Sequence, residues 1–185
     1  MYAYHKAAVM CMVQGELSEE QRQEQIELMR NTPKWRQRIA GKSLPMEKFA
    51  SKKAERFLEQ GNHLCLPALE LIYVWNGFKI LGQQYSLVEP IYVLVEETAK
   101  RLEENKSSVK YYEDDLCLLN LLMGMCLKNM KSPLQAEECL KVVMSHAGKL
   151  KQDTYLVPYA TFEYAQLLRD SGQVELAMQY LESAK

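Results

Sequence analysis

N-L-L-M-G-M-C-L-K-N-M-K-S-P-L-Q-A-E-E-C-L-K-V-V (Asn120–Val143) and T-F-E-Y-A-Q-L-L-R-D-S-G-Q-V-E-L-A-M-Q-Y-L-E-S-A (Thr161–Ala184) carry one pattern twice. Met123, Gly124, Leu127, Ala136, Leu140 and Val143 stand at offsets 0, 1, 4, 13, 17 and 20. Tyr164, Ala165, Leu168, Ala177, Leu181 and Ala184 stand at the same six. Each offset has a packing reason in a pair of antiparallel helices. Gly124 and Ala165 fall where the second helix crosses the first, and a large side chain there would hold the two apart. Ala136 and Ala177 are the matching small sites on the second helix, and Leu140 and Leu181 are the knobs that fill the remaining gap. The pattern predicts an all-α chain built as a superhelical stack of helix pairs.

Composition agrees. The chain has 185 residues, 48% of them apolar, few Gly and Pro, and a net charge of −1. Leu, Met, Ala, Glu and Lys dominate over β-branched residues, which favours helix. No alternating apolar run bounded by turn residues is present, so no sheet is expected. The charge balance gives no global pull toward nucleic acid or anionic membrane. Cys11, Cys65, Cys117, Cys126 and Cys139 contain no C-x-x-C and lie among apolar neighbours. Five such thiols point to a reducing, cytoplasmic compartment and to no metal site, because His5, His63 and His146 add no ligand spacing. The longest apolar run, Leu116–Leu127, is interrupted by Asn120 and too short to cross a bilayer. Met1–Val13 carries His5 and Lys6 and reads as an amphipathic helix, not a signal peptide.

Along the chain, residues 1–65 hold N-terminal helices, a polar insert and a basic linker, and 66–185 hold the repeat region, with clear units at about 117–150 and 158–185. Ser18 and Gln21 form a capping box for a helix running to Arg30, ended by Pro33. Ser43 or Leu44 caps a helix over Met46–Gln60 whose inner face is Phe49, Ala54, Phe57 and Leu58. Leu66–Leu81 is expected as one apolar helix. Ser86 with Glu89 forms a capping box for the next, in which Pro90 is early enough to be tolerated. Asp114-Asp115 is expected to cap a helix starting at Leu116. Ala136 and Ala177 are 41 residues apart, so the polar link near Ser145–Asp153 carries additional residues. The last unit stops inside its second helix without a polar cap, as expected of a piece of a longer array.

The offsets are those of the tetratricopeptide repeat, L-G-x2-Y followed by A-x3-F. K-W-R-Q-R-I-A-G-K-S-L-P-M-E-K-F (Lys34–Phe49), A-L-E-L-I-Y-V-W-N-G-F (Ala68–Phe78) and the late L-V-P-Y-A, F-E-Y-A and Y-L-E-S-A-K motifs narrow this further. In these segments the chain resembles the tetratricopeptide repeat protein 39 family, related to the fungal inclusion-body clearance protein Iml2. The resemblance implies a non-enzymatic intracellular scaffold that binds other proteins, in cilium assembly or in lipid homeostasis.

Counting repeats from Cys117 and Pro158, the groove-facing positions are Leu118, Leu121, Met125, Lys128 and Asn129, then Tyr159, Phe162, Gln166, Arg169 and Asp170. Repeats that clamp a partner's C-terminal carboxylate place Lys and Asn at the central sites, where this chain has Leu121, Met125 and Phe162. Two readings stand: a groove for an apolar peptide, or one filled by the protein's own chain. Lys34, Arg36, Arg38, Lys42, Lys48, Lys52, Lys53 and Arg56 face only Glu47 and Glu55, a local charge of +6. With Trp35 as an interfacial anchor, this segment could meet anionic lipid, making the chain a membrane-associated adaptor in lipid-droplet or inclusion-body clearance. The alternative is a solvated face of the third helix, balanced by Glu16, Glu19, Glu20, Glu24 and Glu27. Gly41-Lys42-Ser43 lacks the first glycine and the strand of a phosphate loop and reads as a turn. No nucleophile, base and orienting group share a helical spacing, so no enzyme, cofactor or small-molecule substrate is expected.

Overall fold

The computed structural model describes residues 1–13 and 15–183. Among these there are ten α-helices, and the chain divides into two compact units, Met1–Leu71 and Ile72–Lys185. The all-α expectation holds.

The first unit contains α1 (Tyr2–Met10), α2 (Glu19–Asn31) and α3 (Pro45–Glu59). The capping box at Ser18 forms as read. Its hydroxyl accepts from Gln21 N–H at 3.2 Å, and the Gln21 side chain accepts from Ser18 N–H at 2.9 Å. Tyr4, Ala7, Ala8, Met29, Ala50, Ala54 and Phe57 are fully buried. Four of these seven are alanines, and side chains that small let helix backbones approach closely. Tyr4 meets Phe49 edge-on, with ring centroids 6.2 Å apart.

Two expectations fail in this unit. Lys53 and Arg56 are only 3% exposed, so neither belongs to a solvated basic face. The helical period explains this: Ala50, Lys53, Ala54 and Phe57 are spaced i, i+3, i+4, i+7, the stripe that faces a core. Lys53 is accommodated there by Glu70, whose Oε1 lies 2.5 Å from its Nζ, both buried. The second failure is a small sheet: β1 (Arg38–Ile39) and β2 (Lys42–Ser43) pair antiparallel, Arg38 opposite Ser43 and Ile39 opposite Lys42. Ala40 and Gly41 connect them with φ of 49° and 76°. Two successive positive φ values make the type I′ turn, whose twist matches that of the strands. Two residues per strand are too few to show alternation in a sequence.

In the second unit, α7 (Tyr112–Asn129), α8 (Pro133–Ser145), α9 (Leu156–Asp170) and α10 (Val174–Ser183) each pack on the helix before, starting from α6 (Tyr85–Glu104), and α7 also packs on α9. That is the order of a helical-pair stack, with α7–α8 and α9–α10 as its repeats. Gly124 packs as this register requires. A Cβ there would sit 3.2 Å from Leu140 Cγ and 3.4 Å from the Ala136 carbonyl oxygen. Ala136, Leu140 and Val143 are fully buried, and Ala165 and Ala177 nearly so. Leu181 departs from its counterpart Leu140: it is 38% exposed. Ala184 lies outside the described residues.

The helix-pair turns repeat as well. After α7, Lys131 takes φ 62°, and Ser132 N–H reaches the Leu127 carbonyl at 2.9 Å. After α9, Gly172 takes φ 84°, and Gln173 N–H reaches the Leu168 carbonyl at 2.9 Å. Both are Schellman motifs, with the left-handed residue just past the helix. The first uses a lysine where the second uses glycine.

Three local expectations are corrected here. Leu66–Leu81 is two helices, α4 (Pro67–Val74) and α5 (Phe78–Leu81). Asn76 at φ 60° ends the first in another Schellman motif, with Gly77 N–H 2.7 Å from the Ile72 carbonyl. Ser86 is not a cap: α6 starts at Tyr85 behind an extended Gln84 that makes no side-chain cap bond. Asp114 and Asp115 lie inside the first turn of α7, which begins at Tyr112. The Asp114 carboxylate instead accepts from the backbone N–H groups of Lys151, Gln152 and Asp153 at 3.3, 2.8 and 2.7 Å. It thereby holds the link that leads into α9.

Two stability outcomes follow from these contacts. Gly124→Leu forces a branched side chain into the α7–α8 crossing and lowers stability by about 1–3 kcal/mol. Gly148→Ala, whose added Cβ meets nothing within 4 Å, leaves the urea midpoint nearly unchanged. Equal midpoints for the two variants would refute the register. Lys131→Gly removes left-handed strain and raises stability by about 0.5–1 kcal/mol, and Gly172→Ala lowers it by a similar amount. A fall in melting temperature for Lys131→Gly would contradict the motif assigned to that turn.

Candidate interaction site

Tyr159, Phe162, Glu163 and Gln166 are spaced i, i+3, i+4, i+7 on α9 and share one face. Met125 and Lys128, i and i+3 on α7, face them across the α7–α9 contact. Lys128 Nζ lies 2.9 Å from Glu163 Oε2 and 2.9 Å from Gln166 Oε1. The Lys128 and Glu163 side chains are 19% and 11% exposed, so their attraction is only weakly screened by water. Tyr73 O–H, from α4, donates to the other carboxylate oxygen of Glu163 at 3.4 Å. Burial first, and then the Glu163 charge, push the Tyr73 phenol well above its ordinary pKa, so it stays a proton donor.

Above this network lies a pocket of about 570 Å³, walled by Tyr73, Phe78, Met125, Tyr159, Phe162 and Leu181 among others, with Asn76 and Glu163 as polar points. Its rings hold one another in place. Tyr73 stands 6.3 Å from Phe78 and 6.0 Å from Tyr159, and Tyr159 stands 5.4 Å from Tyr155. Phe162 remains 48% exposed and Tyr159 41%. With the Glu163 charge matched by Lys128, the pocket carries no net charge and is mainly apolar. Such a surface takes up large uncharged side chains and offers no cation to a carboxylate.

The repeat register thus brings together Met125, Lys128, Phe162, Gln166 and Tyr159. It does not bring in Leu121 or Leu118, which are 0% and 1% exposed and spent on helix packing, so neither is available to a partner. Arg169 points to solvent and pairs with Asp170 at 2.7 Å. Asn129 donates to the Met125 carbonyl at 2.8 Å. The groove is partly filled by the chain itself, since Tyr73 and Phe78 come from α4 and α5. Those two residues, with Asn76, Glu163 and Leu181, are the part that sequence spacing misses. A lone acid inside F-E-Y-A was the available signal for Glu163, because an unpaired carboxylate does not persist among apolar neighbours.

Of the basic segment, Lys34, Arg38, Lys42, Lys48 and Lys52 are exposed and Arg36 is half-buried. All five cysteines are free thiols, and burial pushes Cys11, Cys117 and Cys126 up to about 12. Thiols held protonated in this way are poor nucleophiles and poor metal ligands. Among the described residues no helix is long and apolar enough to cross a membrane.

No solved structure matches the chain. Tetratricopeptide repeat protein ttc-39B of Caenorhabditis elegans is 40% identical over 148 residues, 80% of this chain and 25% of that protein. The chain therefore spans about a quarter of the length of this curated relative. A profile of the family described as Iml2/Tetratricopeptide repeat protein 39 matches residues 1–130, which takes in the first unit and continues past the end of α7. On that match, and on 40% identity to ttc-39B across 80% of its own length, the chain belongs to the Iml2/Tetratricopeptide repeat protein 39 family.

Proposed function

We propose that the chain is a non-enzymatic protein-interaction scaffold that grips a partner by inserting one large apolar side chain between α7 and α9. The pocket carries this reading: open, aromatic, and neutral because Lys128 and Glu163 satisfy each other. Rigid aromatic walls lose little entropy on binding, and a pocket of this kind concentrates binding energy in a few residues. The partner segment is apolar at its anchor and needs no C-terminal carboxylate. A place in cilium assembly or lipid homeostasis is what the family resemblance implies, and five cysteines outside any disulfide suit a cytoplasmic setting.

Peptides selected by display on this chain should carry Leu, Met, Phe or Trp at one fixed position. Phe162→Glu should weaken them by about 2 kcal/mol or more, as expected for a truncated anchor site. Arg169→Ala, outside the pocket, should leave their affinity unchanged. Peptides that bind the Phe162→Glu variant as well as the parent would sink this proposal.

A further inference from the structure

Trp35, Ile39 and Leu44 are 58%, 63% and 39% exposed, and all three lie on the connection between α2 and α3. That connection is ordered, closed by the Ala40–Gly41 turn and by the pairing of Ile39 with Lys42. A hairpin does not need an exposed indole and an exposed isoleucine to fold. Both cost free energy in water, and they stand within five residues of each other.

Cations surround them. Lys34, Arg38, Lys42 and Lys48 are exposed and Arg36 half-exposed. Among the described residues Arg36, Arg38, Lys42 and Lys48 make no ion pair. Three of the acids that the sequence sets against this segment are engaged elsewhere. Glu24 pairs with Lys6, Glu16 reaches Arg22 at 3.8 Å, and the buried Glu47 takes the Met1 amino group at 3.1 Å. The positive charge of Arg36, Arg38, Lys42 and Lys48 is therefore not cancelled by a direct ion pair.

An indole and aliphatic side chains ringed by Lys and Arg match the chemistry of a bilayer interface. There amphipathic rings sit at headgroup depth, and cations meet anionic lipid while their stems run along apolar surface. We propose that the segment from Lys34 through the hairpin to Lys48 in the first turn of α3 docks on an anionic lipid surface, with Trp35 and Ile39 seated among the upper acyl chains. A nucleic acid would also attract the cations and stack on the indole, but it leaves Ile39 and Leu44 without a role.

The test uses the whole chain carrying Trp75→Phe, which leaves Trp35 as its sole tryptophan. With vesicles of phosphatidylcholine and phosphatidylserine, Trp35 emission should shift to the blue and be quenched by lipids brominated on the upper chain. Sedimentation should fall as salt rises, and fall further with phosphatidylcholine alone. Trp35→Ala with Ile39→Ser should weaken partition to the anionic vesicles by at least about tenfold. Arg36→Glu with Arg38→Glu should do the same, with the far-UV circular dichroism of each variant matching the parent. The proposal is overturned if the chain does not sediment with anionic vesicles, or if it sediments while Trp35 emission stays unshifted. It is likewise overturned if a single-stranded oligonucleotide shifts that emission and vesicles do not.

Discussion

The close approach of α7 and α8 at Gly124 is the constraint on which the second unit depends. A hydrogen in place of a side chain lets Leu140 and the Ala136 carbonyl come within 3.4 Å of where a Cβ would stand. The approach fixes the depth at which α8 sits on α7. The position of α9, which packs on both, follows from it. Asp114 adds a second tie, because its carboxylate gathers three successive N–H groups of the link entering α9. A charged acceptor bonded three times in a partly buried place is among the stronger polar contacts available to a loop. The spacing of Lys128 from Glu163 thus depends on small-residue packing and one aspartate, both remote from the pocket.

Within the pocket, charge decides what chemistry is left over. A buried lysine alone in such a groove would recruit a carboxylate, as carboxylate-clamping repeats do. A buried glutamate alone would recruit an amine or stay protonated. Side by side at 2.9 Å they cancel, with Gln166 accepting a second bond from Lys128 and Tyr73 donating to the other Glu163 oxygen. What faces outward is mainly ring and thioether surface with Asn76 and Glu163 as polar points, so apolar fit is left as the main source of specificity. The network also braces the walls, since Tyr73 cannot swing out without giving up both Glu163 and its contact with Tyr159.

Much of this was legible in the spacing of residues. Small residues at helix crossings are forced by geometry, so Gly124, Ala136, Ala165 and Ala177 read correctly from one sequence. The Ser18 capping box was equally local. What escaped depends on contacts distant in sequence or on backbone choices that several residue types can make. Asn76 and Lys131 adopt left-handed conformations more often taken by glycine, so the break between α4 and α5 carried no glycine at the position that turns. Asp114 looked like a cap because its partners lie 37–39 residues on. Tyr73 reaches Glu163 across 90 residues of sequence, a pairing that no local period announces.

The basic segment shows how one composition divides into two fates. Lys53 lies on the stripe shared by Ala50, Ala54 and Phe57, so the helical period carries it inward and Glu70 makes that burial tolerable. Removing one member of a buried pair typically costs about 3–5 kcal/mol, so Lys53 is tied to structure and is lost to any surface role. The hairpin cations have no such stripe to follow. Two-residue strands joined by a type I′ turn leave nearly every side chain in solvent, apolar ones included. Ile39 is thus exposed by the same geometry that exposes Arg38 and Lys42, while Trp35 stands just before the hairpin, in the turn that closes α2. A count of charges from Lys34 to Arg56 cannot separate these populations, whereas the helical period of α3 can.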